Sequence, residues 1–138
     1  EIIVTSTGEK VPPADLEQAL ESDHLVSQAM VVGENRPYIA ALVVLNAQEW
    51  KKLAAELKLD AEDPLSLETR AARQAVLRRV KAAAAGFPNY GVPRQVRLFL
   101  EPWSIENGLM TPTLKLKRGP MRIRFADAIE SLYAEVKV

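Results

Sequence analysis

An α+β fold, with a small and mainly antiparallel sheet flanked by helices, is what this 138-residue sequence predicts. Three observations carry that prediction. Residues 28–33 and 38–45 are apolar, β-rich runs, and the polar turn Gly33-Glu34-Asn35-Arg36-Pro37 between them marks an antiparallel hairpin. Four other stretches space their apolar residues at helical intervals. Strands and helices are interspersed, without the strict alternation that builds a parallel sheet.

In chain order, residues 2–5 form a β-branched run closed by Ser6-Thr7-Gly8, a strand ending in a turn. Pro12-Pro13 then precedes Leu16, Ala19 and Leu20. Proline suits a helix start because its missing N–H would be unpaired there anyway. After the hairpin, Asn46 and Glu49 have capping-box spacing, and Trp50, Leu53, Ala54 and Leu57 follow at helical intervals. Residues 60–66 read as a loop. An Ala- and Arg-rich helix is predicted over about 67–85, stopped by Gly86 and Pro88. Residues 95–100 alternate as a strand. Asn107-Gly108 marks a turn, and the chain onward to Arg118 is predicted to be extended. Phe125, Ile129, Leu132, Tyr133 and Val136 line one face of a last helix. There is no internal repeat, low-complexity tract or linker.

Composition narrows the function classes. The chain is 48% hydrophobic and 26% charged, as expected of one domain with a modest core. Eighteen basic and eighteen acidic side chains cancel. Net charge therefore draws the chain neither to nucleic acid nor to an acidic membrane, and anion recognition must come from local clusters. The absence of cysteine excludes disulfides, thiol catalysis and thiolate metal sites. The single histidine, His24, argues against a histidine-based metal centre or proton relay, and its place beside Asp23 near a helix end fits capping or surface packing better than a Ser/His/Asp set. No run approaches the ~20 apolar residues that span a bilayer, no leader is evident, and a cytoplasmic location is expected. The abrupt start, Glu1 running straight into Ile2-Ile3-Val4, is read as a fragment boundary.

Two segments could carry chemistry. In residues 109–118, LMTPTLKLKR, Lys115 and Lys117 alternate with Leu114 and Leu116, so an extended backbone sends both amines to one side. No acidic residue lies between Asn107 and Ala126, yet Lys115, Lys117, Arg118, Arg122 and Arg124 all do. That cluster would suit a carboxylate, phosphate or nucleotide, although by residue type alone a solvated strand with its lysines in water is the plainer reading. Arg122 and Arg124 are expected at the start of the last helix, where the dipole disfavours cations and an anion would relieve them. In residues 5–17, TSTGEKVPPADLE, Gly8 can take a positive φ and admit a ligand close to the backbone, with Lys10 two residues on. An ordinary turn explains it as well. Trp50 and Trp103 read as core or rim aromatics, and Arg70, Arg73, Arg78, Arg79 and Lys81 as the wet face of a helix.

Taken together these segments resemble the C-terminal domain of the adenylate-forming, AMP-binding superfamily. IIVTSTGEKVPPADLE is similar to the family's motif after the hinge, an extended run, then Gly, then Pro-x-x-Leu-Glu. QAMVVGENRPYIAALVVL is similar to the hairpin that follows. LMTPTLKLKR resembles the final motif in its long-chain fatty-acyl-CoA ligase form. The order and spacing of the three span nearly the whole chain.

The resemblance implies a fold of the AMP-binding C-terminal type and a single mobile lid domain, 1–138, whose N-terminal domain and hinge lie outside this sequence. It implies that the catalytic lysine stands four positions after the motif threonine, so Thr113 points to Lys117. Leu116 replaces the glycine that usually precedes that lysine, and Lys115 remains a rival amine. Gly8 matches the glycine of the turn that lines the CoA channel during thioester formation. Glu9 and Lys10 follow it, Lys10 near the nucleotide phosphate. ATP, Mg2+ and CoA are the implied cofactors and co-substrates of the full-length enzyme, none held tightly by this chain alone. A fatty acid is the implied acid, and the missing N-terminal domain the partner; no nucleic acid is implied, and a peripheral membrane contact stays open. Alone, the chain is expected to show no ATP–pyrophosphate exchange. Three rival expectations stand beside it: the same domain in an enzyme for an aryl or other acid, a free-standing nucleotide- or anion-binding module, and a pure protein-interaction domain.

Overall fold

The computed structural model describes residues 1–134, so the expected place of Val136 on the last helix lies outside the described residues. Strand β1 (Ile3–Val4) falls within the run predicted over 2–5 and pairs antiparallel with β2 (Lys10–Val11), a partner that the sequence reading leaves out. Helix α1 (Pro13–Leu20) follows with Pro13 in its first turn. Strands β3 (Val26–Val32) and β4 (Ala40–Leu45) form the expected hairpin.

Helix α2 (Ala47–Glu56) starts where predicted, the Asn46 side chain accepting from the Glu49 N–H at 3.0 Å. The long helix predicted over about 67–85 is split. A 3-10 turn, Pro64–Glu68, comes first, and α3 (Arg70–Ala83) begins only after Thr69, whose hydroxyl accepts from the Ala72 N–H at 3.2 Å. Thr69 is extended, with φ −69° and ψ 151°, so the two segments cannot be continuous.

Strand β5 (Val96–Phe99) completes a sheet of order β3-β4-β5. It runs parallel to β4, with Ala41 opposite Val96 and Val44 opposite Phe99. A crossover through α2 and α3 brings the chain back in the same direction, as a parallel pair requires. The sheet is thus mixed within the predicted α+β class.

The last helix is also two helices, α4 (Arg118–Arg124) and α5 (Ala126–Ala134). Phe125 stands between them at φ −108°, ψ 25°, its ring 5.0 Å from Phe99 and 6.2 Å from Trp103. Packing into that aromatic group turns the chain where neither proline nor glycine would.

The core has two halves separated by the sheet. All six residues of β4 are buried, none more than 2% exposed, because β4 is the central strand and has no solvent face. Ala41, Val43 and Leu45 join Leu16, Leu20, Trp50, Val76 and Val80 on the side of α1, α2 and α3. Ala40, Leu42 and Val44 face Trp103, Met121 and Leu132 on the side of α4 and α5. Trp50 and Trp103 are core residues, as read from the sequence. The edge strand β3 is covered from α1: Glu17 accepts from the Val31 N–H and Glu21 from the Ala29 N–H, each at 2.9 Å.

Candidate functional site

The β1–β2 arm carries the first candidate segment. Its turn is closed by the Gly8 N–H to the Thr5 carbonyl at 3.0 Å and the Thr5 N–H to the Glu9 carbonyl at 2.9 Å. Gly8 has φ +90°, which a side chain would strain, and the space around it is open. Glu9 serves the turn itself: its carboxylate accepts from the hydroxyls of Thr5 and Thr7, and its N–H donates to Thr5 Oγ1 at 3.1 Å. Lys10 is exposed on β2, opposite Val4.

The second segment is not extended as predicted. Residues 109–117 fold into a tight hairpin in which Met110 bridges Leu116. The Thr111 N–H donates to the Lys115 carbonyl and the Leu114 N–H to the Thr111 carbonyl, both at 2.8 Å. Leu114 supplies the left-handed residue of this turn at φ +64°, although it is a leucine and 66% exposed. Thr111 Oγ1 accepts from the Lys115 N–H at 3.0 Å and lies 3.1 Å from the Thr113 hydroxyl. Thr113 therefore belongs to the turn's own hydrogen bonding.

Lys117 ends the returning arm. Its N–H donates to the Leu109 carbonyl and its carbonyl accepts from the Met121 N–H, both at 2.9 Å, so it is the N-cap residue of α4. Leu116 packs against the core beneath, while Lys115 and Lys117 on either side of it are exposed. No carboxylate among the described residues pairs with either ammonium.

Arg118 behaves differently. Its guanidinium grips Glu17 of α1 in a two-pronged pair, Nη1 to Oε2 at 2.8 Å and Nη2 to Oε1 at 2.7 Å, with Glu1 3.4 Å from Nε. The Glu17 side chain is 8% and the Arg118 side chain 16% exposed. The hydrogen bonds to Glu17 hold the guanidinium above even its ordinary high pKa, outweighing burial. Arg122 pairs with Glu1 at 2.9 Å. The basic run thus has counter-charges after all, supplied from the far end of the chain. Arg122 and Arg124 occupy the last turn of α4, where the helix dipole favours cations, which removes the expected dipole penalty.

Gly8, Glu9 and Lys10 share one turn, and Thr113, Lys115 and Lys117 share the hairpin. The two groups sit on separate elements, and the Glu17–Arg118 pair ties α1, which follows the β1–β2 arm, to the residue after Lys117. Sequence reasoning missed Glu17. The signal was available: Pro13, Leu16, Glu17 and Leu20 form the buried stripe of α1, and a carboxylate in an apolar stripe demands a partner.

Residues 1–137 match the family described as AMP-binding enzyme C-terminal domain. The chain belongs to that family. It is 35% identical to the long-chain-fatty-acid–CoA ligase FadD15 of Mycobacterium tuberculosis, covering 96% of this chain and 22% of that protein. It is 32% identical to the peroxisomal long chain acyl-CoA synthetase 7 of Arabidopsis thaliana, covering 98% of this chain and 20% of that protein. Among solved structures, the A domain of the carboxylic acid reductase from Segniliparus rugosus, in complex with AMP and a co-purified carboxylic acid, superposes with a TM-score of 0.81 at 28% identity. That match covers 98% of this chain and 20% of the reductase chain. The chain spans about a fifth of the length of the curated relatives it matches.

Proposed function

We propose that this chain is the mobile C-terminal domain of an ATP-dependent long-chain fatty-acid–CoA ligase, and that Lys117 is its catalytic amine. In the first half-reaction a carboxylate oxygen of the fatty acid attacks the α-phosphorus of ATP, and pyrophosphate leaves. In the second, the CoA sulfur attacks the acyl carbon of the adenylate, giving thioester and AMP. Both steps redistribute negative charge among carboxylate and phosphoryl oxygens, and a fixed ammonium beside them stabilises that charge as it develops. The observation that carries the proposal is Lys117 itself, exposed and unpaired among the described residues while its backbone is bonded on both sides. A long-stemmed point charge on a fixed base can reach a site built by another domain.

The open turn at Gly8 takes the second role, lining the path of the CoA arm, with Lys10 toward the nucleotide phosphate. Alternation between the two steps is then a rigid-body swing that presents first Lys117 and later Gly8. Charge neutralisation of the leaving pyrophosphate would be the contribution of a nucleotide-bound Mg2+. Among the described residues no group of three or more His, Asp or Glu side chains gathers to hold such an ion, so its ligands are assigned to the nucleotide and the partner domain.

A second reading, the same domain in an enzyme that activates another acid, is favoured by the high structural likeness to a carboxylic acid reductase A domain. The test uses the full ligase. Lys117→Ala is expected to cut acid-dependent ATP–pyrophosphate exchange by about 100-fold or more, while thioester formation from supplied acyl-adenylate persists. Loss of exchange in Lys115→Ala and not in Lys117→Ala would move the catalytic amine two residues. Exchange with benzoate and not with palmitate would favour the second reading.

A further inference from the structure

Lys117 is placed by more than its own hairpin. A cleft of about 490 Å3 separates α1 from the hairpin, lined by Pro13, Glu21, Leu114 and Lys115 among others. Glu17 and Arg118 both line it and join across it. Arg118 follows Lys117 directly and opens α4, while α1 begins two residues after β2 and the Gly8 turn. Glu17 is fixed in turn by the Val31 N–H of the sheet at 2.9 Å. A two-pronged guanidinium–carboxylate pair defines orientation as well as distance, which a single-pronged amine does not.

We propose that Glu17 and Arg118 form a positioning clamp that sets where Lys117 stands relative to the sheet and the Gly8 turn. This rests on the assignment of Lys117 to the adenylation step. The Gly8 turn has its own internal bonds through Thr5 and Glu9 and does not need the clamp for its shape. Breaking the clamp therefore misplaces one of the two functional segments and spares the other. A purely structural pair would, by contrast, weaken both half-reactions together.

The experiment compares three variants of the full ligase well below their melting temperatures. Each is assayed for ATP–pyrophosphate exchange with palmitate and for single-turnover thioester formation from purified palmitoyl-adenylate and CoA. Glu17→Gln keeps an acceptor for the Val31 N–H but loses the charge. It is expected to lower the exchange kcat about 10-fold, with KM for ATP and the thioester rate within about 2-fold of the parent. Arg118→Lys keeps a cation opposite Glu17 but only one prong, and an intermediate loss confined to exchange is expected. Should Glu17→Gln fail to fold, Arg118→Lys decides by the same two assays. Equal losses in both half-reactions, or no loss in either, would overturn the clamp. Lys117→Ala is the control for the underlying assignment: retained exchange in that variant overturns the assignment, whereas lost exchange with unaffected clamp variants overturns the clamp alone.

Discussion

Glu21 and Asp23 lie two residues apart and respond to their surroundings in opposite senses. The Glu21 carboxylate rests against β3, where burial raises its pKa; the Ala29 N–H opposes that shift and the nearby Glu17 charge adds to it. Burial also acts on Asp23, but the hydrogen bonds from Arg79 and the Leu25 N–H, with the Arg79 charge, more than offset it and hold the carboxyl low. The signs follow from proton linkage. The folded state binds a proton on Glu21 more readily than the unfolded chain does, so ionising Glu21 lowers stability as pH rises above the usual carboxylate range. Asp23 contributes stability above that range and loses it as pH falls through its depressed folded value. Glu21→Gln, which keeps an acceptor for the Ala29 N–H, is therefore expected to be at least as stable as the parent at pH 7. Its advantage should shrink toward pH 4, as read by thermal unfolding across that interval. A Glu21→Gln variant less stable at pH 7 than at pH 4 relative to the parent would contradict this account.

At the scale of elements, the 109–117 hairpin combines a well-bonded backbone with a strained tip. Leu114 holds a left-handed conformation that costs a non-glycine residue roughly 1–2 kcal/mol, and its side chain gains little in return because it is 66% exposed. Leu114→Gly is expected to be neutral or stabilising by up to ~1 kcal/mol, against the usual trend for glycine. Leu114→Val should cost about 1 kcal/mol or more, since a β-branched residue is worst placed there. Chemical denaturation of the two variants side by side checks the order. The Asn46 cap and the Pro12-Pro13 start depend on neighbours a few residues away, and both stand as the spacing implied. The break at Phe125 depends on Phe99 and Trp103, which are remote in the chain. The hairpin at 111–115 needed a leucine at positive φ, and no sequence rule points to leucine for that purpose.

For the whole molecule, the central strand is the point of greatest sensitivity, because its two faces hold the two half-cores together. Leu42→Ala, at a fully buried site, should cost about 2–5 kcal/mol, whereas Leu65→Ala, at a site 65% exposed, should stay within about 0.5 kcal/mol. Equilibrium unfolding in urea separates the two cases. The α+β class, the β3–β4 hairpin, most of the helices and the two motif segments were all legible in the sequence, because periodicity, caps and turn residues act between near neighbours. The direction of β5 was decided by where distant segments packed, whereas the break at Thr69 and the pairing of β1 with β2 rest on bonds between near neighbours that the sequence reading passed over. The same holds at the candidate site. Residue types singled out Gly8 and the basic run with Lys115 and Lys117, and the family resemblance, not spacing alone, pointed to Lys117. Only the folded chain could show that Arg118 and Arg122 are claimed by Glu17 and Glu1 while Lys117 is left in solvent. Opposite charges find one another through space, and sequence distance says nothing about which carboxylate arrives first.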